Sequence, residues 1–198
     1  MPEYTPAESF IINKLRKELA PTLTYHGIHH TLDVLNAALI IAAHEGISEE
    51  DVKLLRIAVC FHDAGFVQLY KGHEEKGCAM AKEFLPLFGF DEASIQKICN
   101  MIMATKLPQQ PHTHLEEIIA DADLDYLGRD DFFRIGNTLY QEFKIFLHVK
   151  DEEQWNRIQL DFLQKHHYHT AWCKENREPG KQERLHQVED IVKSYGRG

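Results

Sequence analysis

The chain has 198 residues, of which 43% are hydrophobic, a length that suits one sizeable core and is short for two domains. Aspartate and glutamate total 31 against 22 for lysine and arginine, and the formal charge of −9 argues against a nucleic-acid polymer or an anionic membrane as partner. No apolar run reaches membrane-spanning length and the first residues lack signal-peptide features, so we expect a cytoplasmic protein. The 4 cysteines are widely spaced, which predicts buried free thiols.

Apolar residues recur at helical spacing from the N-terminus onward. The first helix follows a capping box at residues 5–8, and the second begins around His30 and stops near Gly46. Ser48 caps the third helix, which is apolar on nearly every face and ends at the pair His62-Asp63. This first third of the chain therefore predicts three packed helices.

The same spacing continues to the C-terminus. His73 opens a fourth helix, Asp91 caps a fifth, and further helices are predicted from Asp130, from Asp151 and after Pro179. The histidine-rich segment 166–170 is predicted to continue a helix, so only part of it could face a site. Since no alternating strand pattern is present, we expect one all-α domain spanning residues 1–198, a helical bundle.

Polar side chains occur at the ends of these apolar helices. His30 lies on a first turn, His62 and Asp63 end the third helix, and Asp123 lies among apolar residues later in the chain. A buried imidazole or carboxylate needs compensation, which a divalent cation such as zinc, manganese, iron or nickel can supply. An isolated His-Asp pair is more often a helix cap beside a solvated aspartate, but the 13 histidines favour a metal site. Asp121 is the alternative to Asp123.

The order His, His-Asp, Asp on helices resembles the HD superfamily of metal-dependent phosphohydrolases, whose members bind one or two divalent cations. The resemblance covers residues 25–128, with helices in 130–195 expected to complete the pocket, and it implies His30, His62, Asp63 and Asp123 as ligands of Mn, Fe, Zn, Ni or Mg. The sequence 73–75, His-Glu-Glu, is similar to the added histidine of two-metal members. The paired histidines that follow in those members are absent here, so a second ion is left open.

A narrower resemblance concerns cyclic-nucleotide phosphodiesterases. Tyr25-His26, followed by His30 and Asp33, is similar to their Tyr-His…His…Asp segment, in which the earlier histidine protonates the leaving oxygen. It implies His26 as general acid, and His73 and Glu74 complete the predicted catalytic set. The predicted substrate contacts are cations for phosphoryl charge, a glutamine and phenylalanine similar to those that hold a purine, and one histidine: Lys106, Arg129, Arg177, Lys181, Gln159, Phe162 and His169.

The expected function is hydrolysis of a phosphate ester of a small molecule by a metal-activated water, with a nucleotide or cyclic nucleotide favoured. The alternative is a non-catalytic regulatory domain that binds a metal and a nucleotide, and di-iron oxygenase chemistry of HD type is a third option. The substrate, the native metal and the oligomeric state are open, with a homodimer as one option.

Overall fold

The computed structural model describes residues 4–196, and the regular elements in that range are all helical. The α-helices are α1 (Pro6–Glu18), α2 (Ile28–His44), α3 (Glu49–His62), α4 (His73–Phe84), α5 (Glu92–Ala104), α6 (His114–Asp123), α7 (Phe132–Phe146), α8 (Glu152–Lys165), α9 (Ala171–Asn176) and α10 (Glu178–Tyr195). Short 3-10 turns cover Ala64–Val67, Leu85–Phe88 and Asp125–Gly128. The all-α prediction is therefore confirmed for the described part of the chain.

Four of the predicted helix starts coincide with side-chain caps. Thr5 and Glu8 form a complete capping box, in which the Thr5 N–H donates to Glu8 Oε2 at 2.6 Å. Ser48, Asp91 and Asp151 each accept a hydrogen bond from the backbone N–H three residues later. Such caps satisfy N–H groups that have no partner within the helix, which is why they mark the boundaries.

The third helix forms the centre of the main core. It packs against α1, α2, α4, α5 and α6, and side chains such as Leu55, Ala58 and Phe61 are fully buried. Because residues 57–61 of α3 are apolar and buried on every face, its C-terminal end lies inside the protein. His62 and Asp63 are consequently delivered to the interior.

The C-terminal helices build a second apolar cluster beside the main core. Phe132 of α7, Leu163 of α8 and Val188 of α10 pack with Leu127 of the third 3-10 turn. The approach of α10 to this turn depends on glycine, because a Cβ on Gly180 would lie 2.1 Å from a backbone oxygen. These helices form a wall that faces the end of α3.

The prediction that a helix continues through residues 166–170 was wrong. The α8 helix ends at Lys165, the following residues are extended, and Thr170 caps α9. The reason is long-range: the carboxylate of Asp121 accepts hydrogen bonds from the backbone N–H groups of His169 and Thr170, which a continuing helix would use internally. Tyr168 is buried by this path.

Two further sequence predictions concern thiols and membranes. All four cysteines are free and buried, as predicted. Between residues 4 and 196, none of the helices combines the length and the hydropathy needed to cross a bilayer.

Candidate metal centre

Four side chains from three helices meet at the inner end of α3. His30 Nε2 lies 3.1 Å from Asp123 Oδ1 and 3.4 Å from His62 Nε2. Asp63 Oδ2 lies 3.3 Å from His30 Nε2 and 3.2 Å from His62 Nε2. Potential ligand atoms of His30, His62 and Asp123 are all within 4.8 Å of one another. The structure thus brings together the residues that the sequence proposed as metal ligands.

The chemistry of this donor set fits a divalent cation. His62 Nδ1 lies 2.7 Å from the Val59 carbonyl oxygen, so in the neutral ring this nitrogen carries the proton and Nε2 turns a lone pair toward the cluster. Asp63 Oδ2 is buried and finds no hydrogen-bond donor within residues 4–196. Lone pairs and carboxylate oxygens packed this closely require a positive charge between them, and imidazole nitrogens with carboxylate oxygens suit borderline divalent metals.

The electrostatics of the cluster point the same way. Burial alone would raise the pKa of the Asp63 carboxyl, but His62 and the neighbouring histidines lower it far below its usual value. Burial likewise opposes ionisation of Asp123, and the neighbouring His30 and His62 rings outweigh burial and lower its pKa to about 2. Both carboxylates are therefore charged at neutral pH. Against the opposing effect of burial, the same two carboxylates raise the pKa of His62, so their charge is balanced either by a protonated His62 or by a cation in its place.

Asp121, the alternative distal ligand, serves a different purpose. Its carboxylate accepts hydrogen bonds from His169 N at 2.9 Å, Thr170 N at 2.8 Å and Thr170 Oγ1 at 2.7 Å. These contacts hold the start of α9 against α6. The two aspartates thus point to different neighbours, and Asp123 is the one that faces the histidines.

The N-terminus of α4 adds a second layer to the centre. His73 Nε2 lies 3.6 Å from Asp63 Oδ1 and 3.4 Å from Glu74 Oε1, while His73 Nδ1 lies 3.0 Å from the Tyr70 carbonyl. The approach requires Gly65, because a Cβ there would lie 2.0 Å from the His73 backbone oxygen. Asp63 therefore faces the ligand histidines with one oxygen and His73 with the other.

His26 is held by a carboxylate that sequence reasoning missed. Glu142 of α7 lies with Oε1 2.5 Å from His26 Nδ1, and its Oε2 accepts hydrogen bonds from the N–H groups of Tyr25 at 2.9 Å and His26 at 3.1 Å. Tyr70 donates to the same carboxylate at 3.1 Å, and the Phe66 ring stacks on His26 at 4.2 Å.

This arrangement sets the protonation of His26. Burial lowers the pKa of His26, but the hydrogen bond from its ring to Glu142 and nearby carboxylates outweigh burial and raise it. The signal available in the sequence was an acidic residue on the buried face of α7, three positions after Leu139 and next to Phe143. A fully buried glutamate in an amphipathic helix needs a specific partner, and here the partner is an imidazole.

A cavity of about 460 Å³ opens from the centre between α4, α7 and α8. Asp63 and Asp123 lie at its inner end, with His26, His73 and Glu74 beside them. Three of the predicted substrate contacts also line it: Lys106, Gln159 and Phe162. The Lys106 ammonium pairs with Glu75 at the exposed rim.

Two predicted arginines are engaged elsewhere. Arg177 Nε donates to Asp125 Oδ1 at 2.6 Å, and its guanidinium lies over the Trp172 ring. Arg129 binds Asp131 at 3.0 Å and reaches Asp125 at 3.3 Å. Neither lines the cavity, because carboxylates of the neighbouring turn and helices hold both.

Lys181 and His169 are also outside the cavity lining. Lys181 is buried, donates to the His166 carbonyl at 2.6 Å and pairs with Glu178 at 2.9 Å. His169 follows the extended segment that Asp121 fixes through the backbone. Lys181 and His169 therefore stabilise the C-terminal helices in this structure, where neither lines the cavity.

Comparison with known proteins agrees with this geometry. The family model of the HD domain matches residues 27–125, half of the chain. A predicted HD superfamily hydrolase from an uncultured Thermotogales bacterium superposes with a TM-score of 0.53 at 23% identity, covering 79% of this chain and 89% of that one. YpgQ of Bacillus subtilis, solved in complex with ADP, superposes with a TM-score of 0.56 at 17% identity, covering 95% and 96%. No curated protein matched the sequence.

The family match begins just before His30 and ends just after Asp123, so it encloses all four side chains of the centre. At these identities the two solved structures show a shared fold and no more. The chain belongs to the HD-domain family.

Proposed function

We propose that this protein is a metal-dependent phosphohydrolase that cleaves a phosphate ester of a small molecule. The observation that carries the proposal is the convergence of His30, His62, Asp63 and Asp123 at the inner end of an open cavity. HD-domain membership supports a metal-dependent hydrolase in general, and the Thermotogales relative is described as a hydrolase of this superfamily.

His30, His62, Asp63 and Asp123 would hold the divalent ion. When bound, such an ion lowers the pKa of a coordinated water and polarises a phosphoryl oxygen. The Val59 carbonyl fixes the His62 tautomer, which keeps the Nε2 lone pair directed at the centre. His73 and Glu74 stand next to Asp63 and would orient the attacking water or, with Asp63, accommodate a second ion.

His26 is the proposed proton donor to the leaving oxygen. Its Nδ1 faces Glu142, so the opposite nitrogen, Nε2, is free to donate, and the raised pKa of His26 favours the protonated ring. The residue lines the cavity beside Asp63 and is not part of the ligand cluster. Lys106 at the rim would contact the phosphoryl group or its substituent.

The substrates to consider are nucleotides, cyclic nucleotides and simple phosphate esters. YpgQ was solved with ADP, and Gln159 and Phe162 lie in the cavity, where they could contact an organic group. The open cavity beside the cluster favours catalysis over a purely regulatory metal site, whose coordination shell would be closed. The two readings differ in whether turnover accompanies binding.

The test is a hydrolysis screen of these esters with manganese, magnesium, zinc or nickel supplied in turn. His62→Ala should lose both the bound metal and activity, while the matched variant His29→Ala, an exposed neighbour of His30, should keep both. Metal binding without turnover on any ester would favour the regulatory alternative. Turnover that survives His62→Ala would remove the proposed centre from the reaction.

A further inference from the structure

The wall of the cavity beyond the metal centre is apolar. Leu139 and Phe143 of α7 line it together with Trp155, Phe162 and Leu163 of α8, and the Phe143 and Trp155 rings contact each other. These side chains belong to two helices whose remaining faces pack in the C-terminal apolar clusters, so the wall is part of a rigid layer. A ligand that enters beyond the centre therefore meets hydrocarbon and aromatic rings.

Positive charge is scarce in the same cavity. Apart from His26 and His73 beside the centre, the basic side chains of its lining within residues 4–196 are two exposed lysines, Lys71 and Lys106, the latter paired with Glu75, and the lining includes no arginine. The inner end is acidic, with Asp63 and Asp123. The metal centre can neutralise the charge of one phosphoryl group. The negative charge of a second or third phosphate would have few cationic partners in the cavity.

Polar partners for a sugar or a base are few on the wall formed by α7 and α8. The hydroxyl groups of the lining belong to other elements, those of Tyr25, Tyr70, Thr105 and Tyr126, and two of them already donate, Thr105 to the Ile102 carbonyl and Tyr70 to Glu142. Gln159 is the one amide on the apolar part of the lining in the described chain, and its Nε2 already donates to Asn156 at 3.0 Å. Hydroxyl groups and ring nitrogens buried against leucine and phenylalanine would lose hydrogen bonds to water without replacement. An apolar group carries no such penalty.

The mouth of the cavity shows the same preference. Leu107, Leu147 and Ile158 line it and are 56%, 41% and 36% exposed. Large apolar side chains left in water at the entrance of a cavity gain stability when an apolar ligand covers them. The entrance and the wall thus favour the same chemical class.

We propose that the substrate is a monophosphate ester of an apolar alkyl or aryl group. This inference rests on the proposed phosphohydrolase function and names its substrate class. The phosphate lies at the metal centre and the organic group lies against α7 and α8. Nucleoside phosphates are the competing class.

The experiment uses the metal-loaded 198-residue chain and a series of n-alkyl phosphates, from methyl to octyl, beside AMP and ADP. We expect kcat/KM to rise about fourfold per added methylene until the cavity is filled, the ratio that ~0.8 kcal/mol per buried CH2 gives. AMP and ADP should be poorer substrates than the longer alkyl esters. A kcat/KM that does not depend on chain length, or that is highest for AMP or ADP, would overturn the inference.

Two variants locate the effect in the cavity. Ile158→Asn replaces an exposed cavity-lining isoleucine of α8, and Ile145→Asn replaces a similarly exposed isoleucine of α7 that does not line the cavity. The first should flatten the dependence on chain length and the second should leave it intact. Equal slopes in the two variants would place the alkyl group elsewhere.

Binding of alkylphosphonates, which are not hydrolysed, separates this inference from the proposed function. If no ester is turned over but longer phosphonates still raise Tm more than shorter ones, the phosphohydrolase proposal fails and the apolar specificity stands. If esters are hydrolysed without dependence on chain length, the function stands and the specificity fails. Phosphonates that bind equally at every chain length count against the apolar specificity in either case.

Discussion

Glu142→Gln tests whether the buried carboxylate of α7 prepares His26 as the proton donor. The wild-type carboxylate accepts hydrogen bonds from the His26 ring, from two backbone N–H groups and from Tyr70. Glutamine keeps the shape but offers one acceptor oxygen, and its NH2 group must face a donor. Hydrogen bonds to charged groups contribute about 1.5–3 kcal/mol. We therefore expect the free energy of unfolding to fall by about 2–3 kcal/mol while the fold persists.

The catalytic effect should depend on the leaving group. Without Glu142 the protonated His26 ring loses its partner, and general acid assistance is worth about 10²–10⁴-fold. We expect Glu142→Gln to lower kcat on an alkyl phosphate by about 10²-fold and on a nitrophenyl phosphate by less than about tenfold, since that leaving group needs no proton. Metal content should be unchanged, because the carboxylate is no part of the ligand cluster.

The control is Tyr70→Phe, which removes one donor to Glu142 and leaves the bond to His26 in place. It should cost little on either ester. Equal losses on the alkyl and aryl esters in Glu142→Gln would refute the role of proton donor for His26 and indicate that the whole site had moved. Loss of the metal would show that Glu142 supports the ligands instead.

The remaining predictions address the ligands, stability and packing. Asp123→Asn should abolish metal binding in calorimetry at little cost in stability, whereas Asp121→Asn should keep the metal and lose about 1–3 kcal/mol, and the reverse pattern would exchange their roles. Burial lowers the pKa of His166 to about 3, so its stabilising contribution is complete above pH 6.5 and is lost as the pH falls. The free energy of unfolding of His166→Phe, measured in urea relative to wild type, should therefore rise by about 2 kcal/mol when the pH is lowered from 7.5 to 5. The same difference between the two proteins at both pH values would refute this. Gly65→Ala should push His73 away and cost about 3 kcal/mol and most activity, and a wild-type Tm would contradict the close approach.

Much of the fold could be predicted because its determinants are local. The caps at Thr5, Ser48, Asp91 and Asp151 and the apolar spacing between them depend on residues within one or two turns of each other. The failure at residues 166–170 has the opposite cause. There a carboxylate more than forty residues away, that of Asp121, takes the backbone N–H groups and ends the helix.

At the metal centre, too, the local features could be predicted and the long-range contacts could not. His30, His62, Asp63 and Asp123 could be proposed because each ends or begins an apolar helix, where an unpaired polar group would be costly. Glu142 could not be assigned to a partner, since the contact joins residues 116 positions apart and depends on how α7 approaches the segment that precedes α2. The position of Glu142 in the helical pattern of α7 indicated that it was buried, but it did not indicate which residue it contacts.

The positions of the two predicted arginines have an electrostatic cause. Acidic residues number 31 and basic residues 22, so most guanidinium groups in this chain have a carboxylate of the same chain close enough to pair with. Arg129 and Arg177 both contact Asp125, two residues after Asp123, so their charges fix the turn that follows a proposed ligand. Neutralising either arginine should therefore act through the position of that turn rather than through lost contact with a phosphate. Under the proposed function, the charge of the substrate in a chain this acidic would have to be neutralised chiefly by the ion that the histidines and aspartates would hold.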